Sequence, residues 1–167
     1  MTSLHINLHT KAKFAIVVVF TMVAAISWAQ KTSSTSDAGS SAVKQVVANF
    51  SDSFNHHDAH DTAELFAEEA DFTNMRGVSH HGRKEIEQNF MTLYAGPLKD
   101  AHRMDSVKNV RFLSPSVAEM DASWEMSGTK AADGSANPAR KGFFDWVLEK
   151  VNGKWMIMVF HESELPS

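Results

Sequence analysis

Residues Phe54 to Arg83 read FNHHDAHDTAELFAEEADFTNMRGVSHHGR, and over this stretch the chain stops one helix, starts another, runs a short strand, turns and enters a third helix. Asn55 closes the first amphipathic helix. Asp58 is placed to cap the next by accepting hydrogen bonds from its free first-turn amides. Ala70 to Met75 alternates small or apolar with polar residues, the period of a half-buried strand. Arg76-Gly77 turns the chain, and Gly82 leads into a further helix.

Working outward, Val43, Val46, Val47, Phe50 and Phe54 fall on one helical stripe, which predicts a helix over Ala42 to Phe54. Ala63, Leu65 and Phe66 repeat the pattern in a shorter second helix. The third runs from Arg83 to about Ala95 with Ile86, Phe90, Leu93 and Tyr94 inward, and Gly96-Pro97 ends it. From His102 onward the period becomes that of strands. His102 to Leu113 is the first, bulged because neither alternation phase is clean, and Ser114-Pro115-Ser116 turns it. In the second, Ala118, Met120, Ala122, Trp124 and Met126 alternate with polar residues. Residues 128–138 (GTKAADGSANP) form a loop.

The last two strands meet at Asn152-Gly153, a type I′ hairpin signal. That turn predicts the pairs Val151–Lys154, Leu148–Ile157, Trp146–Val159, Asp145–Phe160 and Phe144–His161. One face then carries Phe144, Trp146, Leu148, Trp155, Ile157, Val159 and His161. The other carries Asp145, Val147, Glu149, Met156, Met158 and Phe160. Both are rich in apolar groups, so the sheet is covered twice. Helices cover one face, and a second copy of the chain is the simplest cover for the other, predicting a homodimer through the sheet.

Residues 1–29 have the form of a secretory signal. Lys11 and Lys13 give a positive start, Phe14 to Ile26 is free of charge, and Ser27-Trp28-Ala29 offers small residues at the cleavage positions. The apolar run is shorter than the roughly 20 residues of a membrane-spanning helix, so the chain is expected to be exported, periplasmic or secreted, without a stable membrane anchor after cleavage. Residues 30–41 (QKTSSTSDAGSS) read as a flexible linker, leaving one domain over 42–167. With no cysteine in the chain, that domain must be held by its core. Without Lys11 and Lys13 there are fourteen basic against twenty acidic residues, a formal charge of −6. No basic cluster is interleaved with aromatics, which excludes a nucleic acid partner; a neutral or cationic small molecule, or another protein, suits the charge.

The segments FNHHD, LFAEEADFTNMRG, HGRKEI, VRFLSPSVAEMDASWEM and NGKWMIMVFHES resemble the SnoaL-like group, most closely its SgcJ/EcaC-type proteins, within the cone-shaped fold of nuclear transport factor 2. The resemblance covers nearly all of residues 42–167. It implies an α+β fold, three N-terminal helices packed on a curved, mainly antiparallel sheet, with a pocket between helices and concave sheet. Relatives use such a pocket for ring closure, dehydration, epoxide opening or ketosteroid isomerisation, and some catalyse nothing; the fold does not choose among these. Ketosteroid isomerase keeps an Asp base and donates to its enolate from a Tyr and a protonated Asp. Laid over ADFTNM, its base falls at Asn74, its first-helix Tyr near Phe50, and its oxyanion Asp at Asp145. One of the three groups survives, so that mechanism does not transfer.

Asp145 is therefore the expected acid or hydrogen-bond donor, its pKa raised by apolar neighbours, unless it pairs with Arg140 or Lys141. His161 is the reserve base, and Asn74 orients the ligand. Met120, Trp124, Val147, Met158 and Phe160 are the expected lining. His56, His57, Asp58, His60 and Asp61, with His80 and His81, share no regular face and read as a solvated turn rather than a metal site. The sequence carries no dinucleotide fingerprint, Walker motif or nucleophile elbow, so no cofactor is expected. The expected function is binding of a small, largely apolar or cationic molecule, with cofactor-free acid/base chemistry of isomerase, dehydratase or cyclase type, or else a non-catalytic dimeric binding or assembly module.

Overall fold

The computed structural model describes residues 38–131 and 133–166, and the fold below is that of the unit over residues 40–167. The signal and the linker up to residue 37 lie outside the described residues. The linker's last four positions, 38–41, are already helical.

Helix α1 covers residues 38–55, and the predicted stripe is its buried face: Val43, Val46, Val47, Phe50 and Phe54 are all in the core. A short α2 (Ala59–Ala63) follows, its amide at Asp61 donating to the Asp58 side chain at 2.9 Å as the cap requires. Next come β1 (Phe66–Thr73), β2 (Ser79–His81) and α3 (Arg83–Ala95), whose bounds are those the sequence predicts. The meander is β3 (His102–Ser114), β4 (Val117–Ser127), β5 (Arg140–Val151) and β6 (Lys154–Glu164).

The six strands form one sheet in the order β2-β1-β6-β5-β4-β3. Neighbours are antiparallel except β1 and β6, which run parallel, with Phe72 beside Phe160 and Thr73 beside His161. Phe50 on α1 packs edge-on against Trp146 of β5, centroids 5.3 Å apart, and Phe90 on α3 packs against Phe72 of β1 at 5.5 Å. Each such ring removed from water contributes about 1.5–3 kcal/mol.

Two expectations change. The second helix ends at Ala63, and Phe66, predicted helical, opens a strand that begins four residues before Ala70 and stops at Thr73. Leu-Phe-Ala-Glu-Glu-Ala favours helix intrinsically, and pairing with β6 overrides that preference. The second change lies in β6. Asn152 (φ 50°) and Gly153 (φ 85°) make the predicted turn, and Val151–Lys154 and Leu148–Ile157 pair as expected. Met158 is then an extra residue, a bulge against Val147, so that Val147 pairs with Val159, Trp146 with Phe160, Asp145 with His161 and Phe144 with Glu162. Phe160, now 1 % exposed, stacks on Phe72 at 4.7 Å. The bulge buries this ring where strict alternation would have buried the smaller Val159.

Candidate functional site

Between the helices and the inner sheet face lies a cleft of about 160 Å³. Its floor is apolar: Phe50 and Phe54 from α1, Phe72 from β1, Phe90 and Leu93 from α3, Met126 from β4 and Phe160 from β6. Asn74, Arg76, Lys130, Asn137 and Arg140 stand around its more exposed parts, while Arg103 and Glu162 reach it from within the core.

Arg103 anchors the charged end. It is 3 % exposed, with its guanidinium carbon 5.2–5.7 Å from the ring centroids of Phe50, Phe54, Trp124 and Phe144. Such a cage holds a cation by its ring faces. Its Nε donates to Asp105 Oδ1 at 2.8 Å and its Nη1 to Glu162 Oε1, and the two carboxylate side chains are 0 % and 5 % exposed. Nη2 has no hydrogen-bond acceptor among the described residues. Burial alone would lower the Arg103 pKa; Glu162 and Asp105 more than offset this and hold it above its ordinary value.

The cluster is built by residues that looked like punctuation. Asn55, at the end of α1, clamps the start of β3 by donating from Nδ2 to the Arg103 carbonyl at 2.9 Å and accepting from the Arg103 amide at 2.8 Å. Ser51 donates to Asp105 Oδ2 at 2.6 Å. Trp124 lies over Arg103 because Gly142, its cross-strand neighbour, has no side chain: a Cβ there would stand 2.5 Å from the indole and 1.9 Å from the Ser163 carbonyl. The indole N–H donates to that carbonyl at 3.2 Å.

The bulge at Met158 decides which residues of β6 reach the cleft. Phe160 and Glu162 turn inward, and His161 turns outward. Of the residues expected from the sequence, Asn74 and Phe160 line the cleft. Asn74 Oδ1 accepts from the amides of Arg76 and Val78 in its own turn. Asp145 and His161 do not line it: both are exposed on the outer face, where Asp145 pairs across the strands with Asp121 on one side and His161 on the other. The Asp145 pKa is raised as expected, but by partial desolvation and the neighbouring Asp121 carboxylate rather than by an apolar pocket. It pairs with neither basic neighbour, since Arg140 bonds Glu164 and Lys141 lies 3.3 Å from Glu125. Val147 and Met158 are half-buried on the same outer face, and Met120 is core, outside the cleft. Trp124 is also outside the lining and acts on the site through Arg103.

Arg103 and Glu162 escaped sequence reasoning. The available signal was Arg103 and Asp105, two opposite charges on one face of β3 in the phase that the strand buries. Four of the turn-segment histidines have partners: His56 donates to the Asp52 carbonyl and His57 to the Leu98 carbonyl, both at 2.8 Å, while His60 meets Glu87 at 3.0 Å and His81 meets Asp71 at 2.8 Å; the buried Nε2 of His80 has no hydrogen-bond partner among the described residues. Among the described residues, no group of three His, Asp or Glu is arranged to hold a metal ion.

A model of the SnoaL-like domain family matches residues 39–161. The chain belongs to this family. The match is at the level of the SnoaL-like domain, coarser than the SgcJ/EcaC-type branch expected from the motifs. No protein of curated function matches the sequence. Among solved structures, the SnoaL-like chain is similar to a domain of unknown function with a cystatin-like fold from Nostoc punctiforme, at 22 % identity over 78 % of this chain and 79 % of that one, with a TM-score of 0.69. It is similar to a putative scytalone dehydratase from Novosphingobium aromaticivorans (14 % identity, 80 % and 89 % covered, TM-score 0.70). It is also similar to a ketosteroid isomerase-like protein from Erwinia carotovora atroseptica (13 %, 76 % and 96 %, TM-score 0.65). At these identities the likeness is one of fold, the nuclear transport factor 2-like fold expected from the sequence.

Proposed function

We propose that this SnoaL-like domain encloses a small, largely apolar molecule and carries out acid/base chemistry on it without a cofactor, of isomerase or dehydratase type. The observation that carries this reading is a buried carboxylate, Glu162, paired with a caged Arg103 in the lining of an otherwise aromatic cleft. Glu162 is the base that takes a proton from the ligand. Arg103 holds Glu162 in place and supplies fixed positive charge beside the negative charge that develops on the ligand. Relatives of the same fold named as a dehydratase and as ketosteroid isomerase-like are consistent with that class.

Volume sets the ligand's size. An apolar cavity of about 150 Å³ takes a benzene, whereas drug-sized ligands occupy roughly 300 Å³ or more. At about 160 Å³ the cleft suits one ring. The test uses cyclohexanone in D₂O, followed by NMR. Wild type should bind it saturably and accelerate deuteration of its α-carbons. Glu162→Gln should lose about 10²–10⁴-fold of that acceleration with its affinity nearly kept, and Leu98→Trp, which plugs the cleft, should lose binding. Binding without acceleration removes the catalytic step; no saturable binding removes the pocket reading.

A second reading, a non-catalytic dimeric binding or assembly module, is favoured by the modest cleft and by Phe143, Val147, Met156 and Met158 on the outer sheet face. We propose that a second copy covers that face and that the chain is exported by its N-terminal signal. Among the described residues, no helix is long and apolar enough to cross a membrane. Sedimentation analysis that finds only monomer at micromolar concentration would refute the dimer.

A further inference from the structure

The chain carries more acidic than basic residues, sixteen Lys and Arg against twenty Asp and Glu, yet the side chains around its cleft are sorted the other way. Three cations converge on the exposed part of the lining from three separate segments: Arg76 from the turn after β1, Lys130 from the loop after β4, and Arg140 from the first position of β5. The acid in the lining is Glu162, at the buried end and engaged by Arg103. The floor between these ends is aromatic. Two of the cations already have carboxylate partners: Arg140 donates to Glu164 from both Nε, at 2.6 Å, and Nη2, and Lys130 meets Asp100 at 2.8 Å. Arg76 has no side-chain hydrogen bond or ion pair among the described residues; its backbone amide is fixed by Asn74 Oδ1 at 2.9 Å.

A neutral ligand leaves Arg76 without a partner, and a cationic one meets three positive groups against two carboxylates on entry. An amphipathic anion answers the whole lining: its ring enters the aromatic floor and its charge stays at the mouth. A guanidinium presents planar pairs of donors that match a carboxylate, and those of Arg76 are unengaged among the described residues while Arg140 spends one pair on Glu164. We propose that the ligand is a ring-sized carboxylic acid, bound apolar end first, with its carboxylate held at the mouth by Arg76 and Lys130, beside the Glu164-bound Arg140. This rests on the cleft being a ligand pocket and replaces the cationic alternative with an anionic one.

The test compares three probes of equal shape by calorimetric titration in low salt: cyclohexanecarboxylate, cyclohexanecarboxamide and cyclohexylammonium. The carboxylate should bind about fivefold tighter than the carboxamide, and the ammonium weakest. Arg76→Gln/Lys130→Gln, at two exposed positions, should bring the carboxylate to the carboxamide's affinity while leaving the carboxamide within twofold of wild type. Raising the salt to about 1 M, where the Debye length falls to about 3 Å, should have the same effect on wild type. A carboxamide or ammonium that binds as well as the carboxylate, or a preference that survives the double substitution, overturns the carboxylate assignment and leaves the pocket standing. Failure of all three probes to bind overturns the pocket and the assignment with it.

Discussion

In its first half, Lys154 to Ile157, strand β6 obeys the turn that begins it: Trp155 and Ile157 are buried and Met156 faces out. In its second half, past Met158, the parity is reversed, with Phe160 buried, Glu162 reaching the cleft and His161 outside. The first half completes a core and the second half forms a site. The difference teaches that one extra residue selects which member of a neighbouring pair, His161 or Glu162, lines the cleft.

Substitutions on both sides of the bulge, and one deletion, test this contrast. The largest effect belongs to Arg103→Met, which leaves Asp105 and Glu162 buried without their cation and should cost about 3–5 kcal/mol in urea unfolding. Adding Asp105→Asn and Glu162→Gln should recover part of the loss, and a cost below about 1 kcal/mol would mean that the second half holds no buried ion cluster. Next, Phe160→Ala should cost about 3–5 kcal/mol, and Val159→Ala, half-buried on the other face, about 1 kcal/mol; equal costs would contradict the reversal of parity. Deleting Met158 should cost less than Phe160→Ala and keep cyclohexanone binding, because the pairs Leu148–Ile157 and Val147–Val159 then follow without a bulge and Glu162 stays inward. Loss of the cleft on deletion would show that the bulge shapes the site as well as setting its register.

The smallest effect concerns the outer face. Asp145, whose pKa is raised by partial desolvation and by Asp121, binds its proton more tightly folded than unfolded. Its contribution to stability is therefore lost as pH rises from the ordinary carboxyl value through the raised one. Asp145→Asn removes the like-charge pair and should stabilise the protein at pH 7 by about 0.2–1 kcal/mol, toward the low end because solvent screens the pair. In thermal unfolding the gain should vanish below the ordinary carboxyl range; a destabilised variant at pH 7 would show that Asp145 has an attractive partner.

Much of the fold was legible because its signals are local. The Asp58 cap, the Arg83–Ala95 helix, the alternation of β4 and the Asn152-Gly153 turn each depend on a few adjacent residues. The departures are long-range. Phe66 is drawn into a strand by a partner in β6, and the three residues of β2 are ordered by pairing with β1. The site was the least legible part, since Arg103 is made useful by Asn55, Ser51, Trp124 and Glu162, whose contacts span the whole domain. Asp145 and His161 were placed on opposite faces by a rule of alternation that holds only until Met158. With the bulge they share a face, and it is the one turned away from the cleft.

The parallel pairing of β1 with β6 has a consequence for the order of folding. It joins residues such as Phe66 and Ile157, 91 positions apart in the chain, whereas β3 to β6 are linked through successive neighbours. Closing so long a loop is entropically late. The expected order is the meander first and the docking of β1 that brings Phe72 onto Phe160 last. On that order the cleft forms at the final step of folding, and pulse-labelled hydrogen exchange during refolding should find the amides of β1 protected after those of β4 and β5.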